Sequence, residues 1–315
     1  MKAPLIVIIG SSNTDLMVKL NRLPKPGETL LGEALVTSAG GKGANQAVAA
    51  ARAGGAVTFV ARVGQDAFGE TAVSGFVKEG IKVDHIHQDK RTPTGVALIL
   101  VGAGGENCIA VALGANSKLS IADIKKAKTT IARAGILVMQ LETPLKIVLA
   151  AARIAVKAGV PVILNPAPAR KLSHELLKQV SVLTPNETEA EVLTGIKVDS
   201  DAAALKAAKK LLSWGVKTVV ITLGRRGALL ASKGGNRVVP GFKVKAIDTT
   251  AAGDTFNGAL AVAMAEGKSE EQAVHFANAA AALSVTRVGA QTSAPRRKVI
   301  EDLLKLGLPR SDAGS

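Results

Sequence analysis

The chain reads as an α/β fold: a doubly wound, mainly parallel sheet with helices on both faces, accompanied by a small β-sheet. Three observations predict it. Apolar runs of strand length alternate with helical patterns along most of the 315 residues, as in a parallel sheet covered on both sides. Two stretches, residues 14–39 and 94–113, interrupt the alternation with strand-like pieces that no helix accompanies. Two glycine-containing turns stand where an extended run becomes a helix, one around Gly40–Gly43 and one around Ala251–Gly253.

Taken in order, Leu5–Ile9 is too short for the apolar region of a signal peptide, and polar Asn13 and Asp15 follow at once, so it reads as the first buried strand. Residues 14–39 hold Pro24, Pro26 and Gly27 among short strand-like pieces. Gly40-Gly41-Lys42-Gly43-Ala44-Asn45-Gln46 opens a helix over Ala44–Ala53, which stops at Gly54-Gly55. Further core strands are expected at Val57–Val63, Ile136–Gln140, Val160–Leu164, Ser181–Leu183 and Lys217–Leu223. Within residues 94–113, Val96–Val101 and Cys108–Ala112 form a hairpin around a glycine-rich turn. Ser120 and Asp123 cap a helix that ends before Gly135. Thr143-Pro144 start another as cap and first helical residue, and Gly159 ends it. Asp201–Trp214 and Ser269–Val285 are helix-rich. An extended run, Phe242–Ile247, leads into Asp248-Thr249-Thr250-Ala251-Ala252-Gly253-Asp254, and a helical run, Phe256–Ala265, leads out. The expected organisation is one core of residues 1–13, 40–93 and 114–308, a discontinuous small sheet of 14–39 and 94–113, and a mobile tail at 309–315.

Composition narrows the function classes. With six Phe, one Trp and no Tyr, the core must be built from Val, Leu, Ile and Ala. A net charge of +15 invites a nucleic-acid partner. The basic residues are spread in short clusters, however, such as Lys125-Lys126, Lys209-Lys210 and Arg296-Arg297-Lys298, with few aromatics to stack bases. Solvated helix faces are the better reading, so no nucleic acid is expected, although anionic nucleotides would be attracted in general. Cys108 is the sole cysteine, which forbids an intrachain disulfide and fits a reducing, cytoplasmic compartment. No apolar run reaches the ~20 residues of a membrane helix, since Arg153 and Lys157 interrupt Leu149–Leu164; no membrane partner is expected.

Several motifs fail. No Gly-x-Gly-x-x-Gly follows the first strand, so a dinucleotide-binding half is not supported. Gly267-Lys268-Ser269 resembles the end of a P-loop, but Val262 stands where the required glycine would be, and a helix precedes it. His85 and His87 flank Ile86 at strand spacing without a further His or Cys nearby, and read as surface histidines.

The turn at Asp248–Asp254 carries the clearest chemistry. Free N–H groups and the helix dipole favour an anion at a helix start, and Ala252 and Gly253 leave room for a phosphate. Asp254 adds a carboxylate that would repel that anion unless it had a task, such as taking the proton from a hydroxyl attacking a phosphoryl group. A plain helix cap is the competing role for Asp254. At the other turn, three glycines with Lys42 and Asn45 suit close contact with a polar ligand, or simply a flexible loop. Asn13 and Asp15 follow the carboxyl end of the first strand, and Glu142 follows that of Ile136–Gln140, where ligands bind in open α/β sheets; Asx-turns and an exposed loop carboxylate are the alternatives. Asn186 and Glu189 have the spacing of a capping box.

Together these motifs resemble the ribokinase-like, or phosphofructokinase-B, family of sugar kinases. Gly10-Ser11-Ser12-Asn13-Thr14-Asp15, Asn165-Pro166-Ala167-Pro168-Ala169-Arg170, Thr184-Pro185-Asn186-Glu187-Thr188-Glu189 and Thr222-Leu223-Gly224-Arg225-Arg226-Gly227 match it in the family's order, over about Ile6 to Leu304. Gly41-Lys42-Gly43-Ala44-Asn45-Gln46-Ala47 is most similar to the ribokinase branch, which also tolerates Ala251 where many members carry glycine. The resemblance implies a ribokinase-like fold and transfer of phosphate from ATP to D-ribose, with another sugar or a nucleoside as the nearest alternative acceptor. A non-catalytic regulator is disfavoured by the intact Asp254. Asp254 would be the base, with Ala252 and Gly253 in the anion hole. Sugar contacts would fall to Asn13, Asp15, Gly41, Lys42, Asn45, Glu142 and Asp254. Nucleotide contacts would fall to Asn186, Glu189, Thr222, Gly224, Gly227, Gly253 and Asn278, with Mg²⁺ bound beside ATP. A potassium ion would sit near Asp248, Thr250, Ser284, Arg287, Gly289 and Ser293. The small sheet would be a lid over the sugar and the contact of a homodimer.

Overall fold

A computed structural model describes residues 5–307; the expected tail at 309–315 lies outside them. Nine strands form the main sheet: β1 (Leu5–Ile9), β4 (Ala56–Gly64), β5 (Lys82–Asp89), β8 (Ile136–Met139), β9 (Val162–Leu164), β10 (Val182–Leu183), β11 (Thr218–Thr222), β12 (Gly227–Ser232) and β13 (Gly235–Pro240). Four more, β2 (Asn13–Leu20), β3 (Val36–Gly40), β6 (Gly95–Gly102) and β7 (Asn107–Ala112), form the small sheet in the order β3-β2-β6-β7.

The main sheet runs β13-β12-β11-β10-β9-β8-β1-β4-β5 and is parallel except for the β11-β12-β13 edge. Its interior strands are apolar on both faces because both are covered. Ile6 and Ile8 of β1 pack into one core with the helices Lys42–Arg52, Ala252–Ala265 and Glu270–Ser284. Val7 and Ile9 pack into the other with Leu145–Lys157 and Asp201–Ser213. With few aromatics, close approach is obtained from small side chains: Ala44, Ala47, Ala50, Ala259, Ala261 and Ala263 are all buried. After β1 the chain passes to β4 on one side and later to β8 on the other. The strand order therefore reverses between β1 and β8, and a crevice opens beyond their carboxyl ends.

Four expectations need correction. Phe242–Ile247 forms no strand. Its apolar alternation is real, but the sheet ends instead at the β12-β13 hairpin, which the sequence reading missed. Pro144 is the cap of Leu145–Lys157, not its first residue, because its ψ of 132° is extended. The helix capped by Ser120 and Asp123 breaks at Ala127 into Ile121–Lys126 and Lys128–Ala132. His85 and His87 lie on β5 and are half-buried: His85 meets Thr130 Oγ1 at 2.9 Å, and His87 lies 3.6 Å from Asp123. In the small sheet β2 runs antiparallel to β3 but parallel to β6. Among the described residues no helix is long and apolar enough to cross a membrane.

Candidate active site

The crevice between β1 and β8 is tied across by Glu142, which follows β8. Its Oε2 accepts from Ser11 Oγ, beyond β1, and from the Lys42 N–H at 3.0 Å. Glu142 is thus half-buried and shapes the glycine turn rather than hanging free in a loop. That turn admits no side chains at two points. Gly41 has φ 89°, a left-handed conformation. A Cβ on Gly43 would lie 2.6 Å from the main chain of Gly10 and Ser11. The helix therefore starts two residues earlier than its apolar pattern suggests, at Lys42.

Asn13 and Asp15 open β2 and reach the same crevice. Asn13 Oδ1 accepts from Asn116 Nδ2 at 2.7 Å, and Asn116 also bonds the Ser12 N–H and carbonyl at 2.9 and 3.2 Å. Asn116, fully buried in a short 3₁₀ turn, was not picked out from sequence, because its partner is 103 residues away. Burial, with Glu142 and Asp254 nearby, pushes the Asp15 carboxyl up to about 6.

Asp254 closes the cluster. It is not the cap of its helix: Ala251 holds that place with φ 57°, and Asp254 is the third helical residue. Its Oδ2 accepts from Asn45 Nδ2 at 2.9 Å and its Oδ1 from Gln46 Nε2 at 3.0 Å. Burial raises its pKa, against the opposing charge of Lys42 and these two hydrogen bonds. A carboxylate made more basic in this way suits proton abstraction near neutral pH. Burial alone would lower Lys42, yet Asp254, Glu142 and Glu189 around it hold it above its ordinary value. Asn45 Oδ1 is buried without a protein partner, so the cluster retains an unused acceptor beside Asp254.

On the far side of the same helix start lies a cavity of about 600 Å³. Asn186, Thr222, Gly224, Gly227, Gly253 and Asn278 all line it, as does Ala252. The stretch expected to be a strand lines it too, through Phe242, Lys243, Val244 and Ala246. Asn186 and Glu189 form the capping box: Asn186 Oδ1 accepts from the Glu189 N–H at 2.7 Å, and Glu189 Oε2 from the Asn186 N–H at 2.9 Å. Glu189 does not line the cavity; burial raises its pKa, and Lys42 acts on it. The loop after β10 is joined to the end of β11, because the Thr222 N–H donates to Pro185 O at 2.9 Å. Asn278 Nδ2 is committed to the β13 backbone, donating to Val239 O and Pro240 O at 3.0 and 3.1 Å. Only its Oδ1 remains to accept from a ligand in the cavity.

The third group is partly assembled. Asp248 Oδ1 accepts from the Thr250 N–H at 2.9 Å and Oδ2 from the Gly289 N–H at 2.8 Å. Ile247 and Asp248 N–H groups both donate to Val285 O, at 2.7 and 3.2 Å. Burial would raise Asp248, but its hydrogen bonds to Thr250 and Gly289 outweigh that and hold it below the usual carboxylate range. Asp248 thus caps its turn, and its side chain joins that turn to the 284–293 loop. Arg287 is exposed and forms no ion pair with a described residue. Ser284 and Ser293 are fully buried, and each hydroxyl donates to a carbonyl three residues back, at 2.8 Å. Their oxygens keep lone pairs, so oxygen-only ligation of a hard cation fits these residues.

The family model for pfkB family carbohydrate kinase matches residues 3–297. The chain belongs to that family. Within it, the sequence is 48% identical over 300 residues to a ribokinase of Haemophilus influenzae, covering 95% of this chain and 98% of the relative. A deoxyribokinase of Salmonella typhi is 38% identical over 302 residues, covering 96% and 99%. The structure of Arabidopsis thaliana ribokinase complexed with ribose and ATP matches with a TM-score of 0.88 at 39% identity, covering 97% of this chain and 99% of that one. This pfkB-family chain also carries buried polar residues that the sequence reading gave no role, namely Gln46, Gln140, Asn165, Thr184 and Asn257. Three of them sit inside motifs already quoted for the resemblance, which was the available signal.

Proposed function

We propose that this chain transfers the γ-phosphoryl group of ATP to the 5-hydroxyl of D-ribose, giving ADP and D-ribose 5-phosphate. One observation carries the reading. The start of helix Ala252–Ala265 stands between the cavity and the polar cluster: Ala252 and Gly253 line the large cavity, while the next residue, Asp254, is bonded into the polar cluster of Asn45 and Gln46. A hydroxyl held in the cluster and a triphosphate in the cavity would meet at that turn.

In this reading Asn13, Asp15, Gly41, Lys42, Asn45 and Glu142 hold the sugar. Asp254 accepts the proton of the 5-hydroxyl as its oxygen attacks the γ-phosphorus, and the bond to the ADP oxygen breaks. The N–H groups of Ala252, Gly253 and Asp254 meet the charge on the transferring group. The Lys42 ammonium, held charged by three carboxylates, adds a positive field on the same side. A divalent ion, Mg²⁺ in this proposal, would be held by the ATP phosphates and, through water, by Asn186 and Glu189; it neutralises phosphate charge. Potassium beside Asp248, Thr250, Ser284, Arg287, Gly289 and Ser293 would brace the anion turn.

The small sheet is proposed as lid and dimer contact. Its β2 carries Asp15, and register places Ala97 and Val111 in the same row, with Met17, Ile99 and Ile109 in the next row on that face. Ile109 and Val111 are about half exposed, at 53% and 47%, an apolar surface suited to a second copy.

The test is ADP release, coupled to a reporter, over a panel of pentoses, 2-deoxyribose, hexoses and nucleosides. Ribose should have the highest kcat/KM, and NMR of the product should place phosphate on the 5-oxygen. Preference for 2-deoxyribose would move the assignment to the other named relative, and no turnover with any acceptor would end it.

A further inference from the structure

A continuous chain of buried side-chain hydrogen bonds runs beneath the site. Gln140 Nε2 donates to Gln46 Oε1 at 2.6 Å. Gln46 Nε2 donates both to Asp254 Oδ1 at 3.0 Å and to Asn165 Oδ1 at 3.3 Å. Asn165 Nδ2 donates to the Thr184 carbonyl at 3.1 Å, and Thr184 Oγ1 donates to Asn257 Oδ1 at 2.6 Å. Asn257 Nδ2 then donates to the Gly253 carbonyl at 2.8 Å. None of these five side chains is more than 6% exposed. They come from five separate segments: the glycine-turn helix, the end of β8, the end of β9, the loop after β10, and the helix that carries Asp254.

The direction of every bond is settled by the ends. The Asp254 carboxylate and the Thr184 and Gly253 carbonyls can only accept. Gln46, Asn165 and Asn257 must therefore present their NH₂ groups there, which leaves their oxygens for Gln140, Gln46 and Thr184 respectively. Each amide has one arrangement that satisfies the chain, so it cannot slip between alternatives.

The chain ends on the two groups that the reaction needs in register. One is the Asp254 carboxylate. The other is the peptide unit between Gly253 and Asp254, whose oxygen faces Asn257 and whose N–H belongs to the anion turn. In a regular helix that carbonyl accepts from the N–H four residues on; the Asn257 side chain supplies a second donor. Two donors hold the plane of the unit, and donation onto its oxygen polarises the N–H at its other end. Buried amides are costly unless fully bonded, and an apolar filling would hold the fold at least as well. Stability alone gives no reason for them here.

We propose that Gln46, Asn165, Thr184 and Asn257 form a positioning relay that sets the Asp254 carboxylate and the Gly253–Asp254 peptide relative to each other for phosphoryl transfer. The inference rests on the reading of Asp254 as base and of its turn as the anion hole. It predicts that breaking the relay slows the chemical step and leaves the binding of both substrates alone, since none of the four residues need touch sugar or nucleotide.

Two variants test it. Thr184→Val keeps the shape and removes the donor to Asn257; Thr184→Ser keeps the donor. Thr184→Val should lower kcat by about tenfold or more, with KM for ribose and ATP within about twofold of wild type, and Thr184→Ser should recover most of the loss. Gln46→Met removes a donor from Asp254 while Lys42, Glu142, Asp15 and Glu189, the charged groups acting around it, stay in place. The acidic limb of its kcat/KM profile should move to higher pH by about half a unit or more. A kcat within about twofold of wild type in Thr184→Val, no rescue by Thr184→Ser, or an unmoved limb in folded Gln46→Met would each overturn the relay. Whichever acceptor the wild-type protein phosphorylates serves for the variants. A wrong sugar assignment then shows in the wild type, and a wrong relay shows only in the variants.

Discussion

Replacing Asp254 by Asn separates catalysis from folding unusually well, because the surroundings can accommodate the amide. Wild-type Asp254 accepts one bond from Asn45 and one from Gln46, at 2.9 and 3.0 Å. An amide accepts at one position and donates at the other. Gln46 is locked by Gln140 and Asn165, so the new oxygen must face Gln46. Asn45 is not locked, and its Oδ1 lacks a partner; turning its amide over presents that oxygen to the new NH₂. Two bonds survive, reduced from charge-assisted to neutral strength, a loss of about 1–1.5 kcal/mol each. Against this, a carboxylate no longer has to be kept dehydrated, a saving of several kcal/mol in real proteins. The variant should therefore melt within a few degrees of wild type, or above it. The rate behaves differently. Without a base the 5-hydroxyl must attack as the neutral alcohol, and turnover should fall by about 10²–10⁴, or roughly 2.7–5.5 kcal/mol of barrier. Coupled ADP release at saturating substrates measures the rate, calorimetric titration measures ATP binding, and a thermal melt measures stability. Turnover within about threefold of wild type, in a variant that melts normally and binds ATP, would reduce Asp254 to a structural role.

The other predictions concern neighbouring groups. Asp15→Ala should weaken kcat/KM for ribose by about 2–4 kcal/mol while sparing ATP affinity, because buried hydroxyl partners are left unpaired; equal losses for both ligands would indicate a folding defect. An acid raised from 3.8 to about 6 on folding binds its proton more tightly in the folded state, so its stabilising contribution is whole below the unfolded value and disappears as pH rises through 6. Wild type should thus lose about 2–3 kcal/mol more than Asp15→Asn between about pH 4 and pH 7, a difference that denaturant titrations at the two pH values would detect. Activity should be higher in potassium than in sodium or Tris at matched ionic strength, and Asp248→Ala should abolish the difference; identical rates in all three buffers, with trace potassium excluded, would sink the cation site. Ala251→Gly should raise stability by about 0.5–1 kcal/mol, since left-handed backbone costs an L-residue about 1–2 kcal/mol and glycine gives back about 0.4–1 through the unfolded chain; a lower melting temperature would count against that strain.

The residues whose role depends on local chain geometry were legible in the sequence. β1 emerged at Leu5–Ile9 with the bounds the structure gives it, because a strand buried on both faces is apolar at every position. The two glycine turns and the Asn186–Glu189 capping box were readable for the same reason: their partners lie within a few residues. What the tertiary structure alone decided is long-range and polar. Phe242–Ile247 has a strand's alternation, but the sheet ends on β13 and this stretch lines the cavity instead. Asn116 meets Asn13 across 103 residues, and Gln46 meets Asp254 across 208; no periodicity encodes such meetings. Ala251 looked like a harmless exchange for glycine until its φ of 57° gave it a cost. Hydrophobic burial is a property of each residue and its immediate spacing, so it is written along the chain. A hydrogen bond between buried amides depends on two segments arriving within about 3 Å at a set angle, and only the folded packing brings them there.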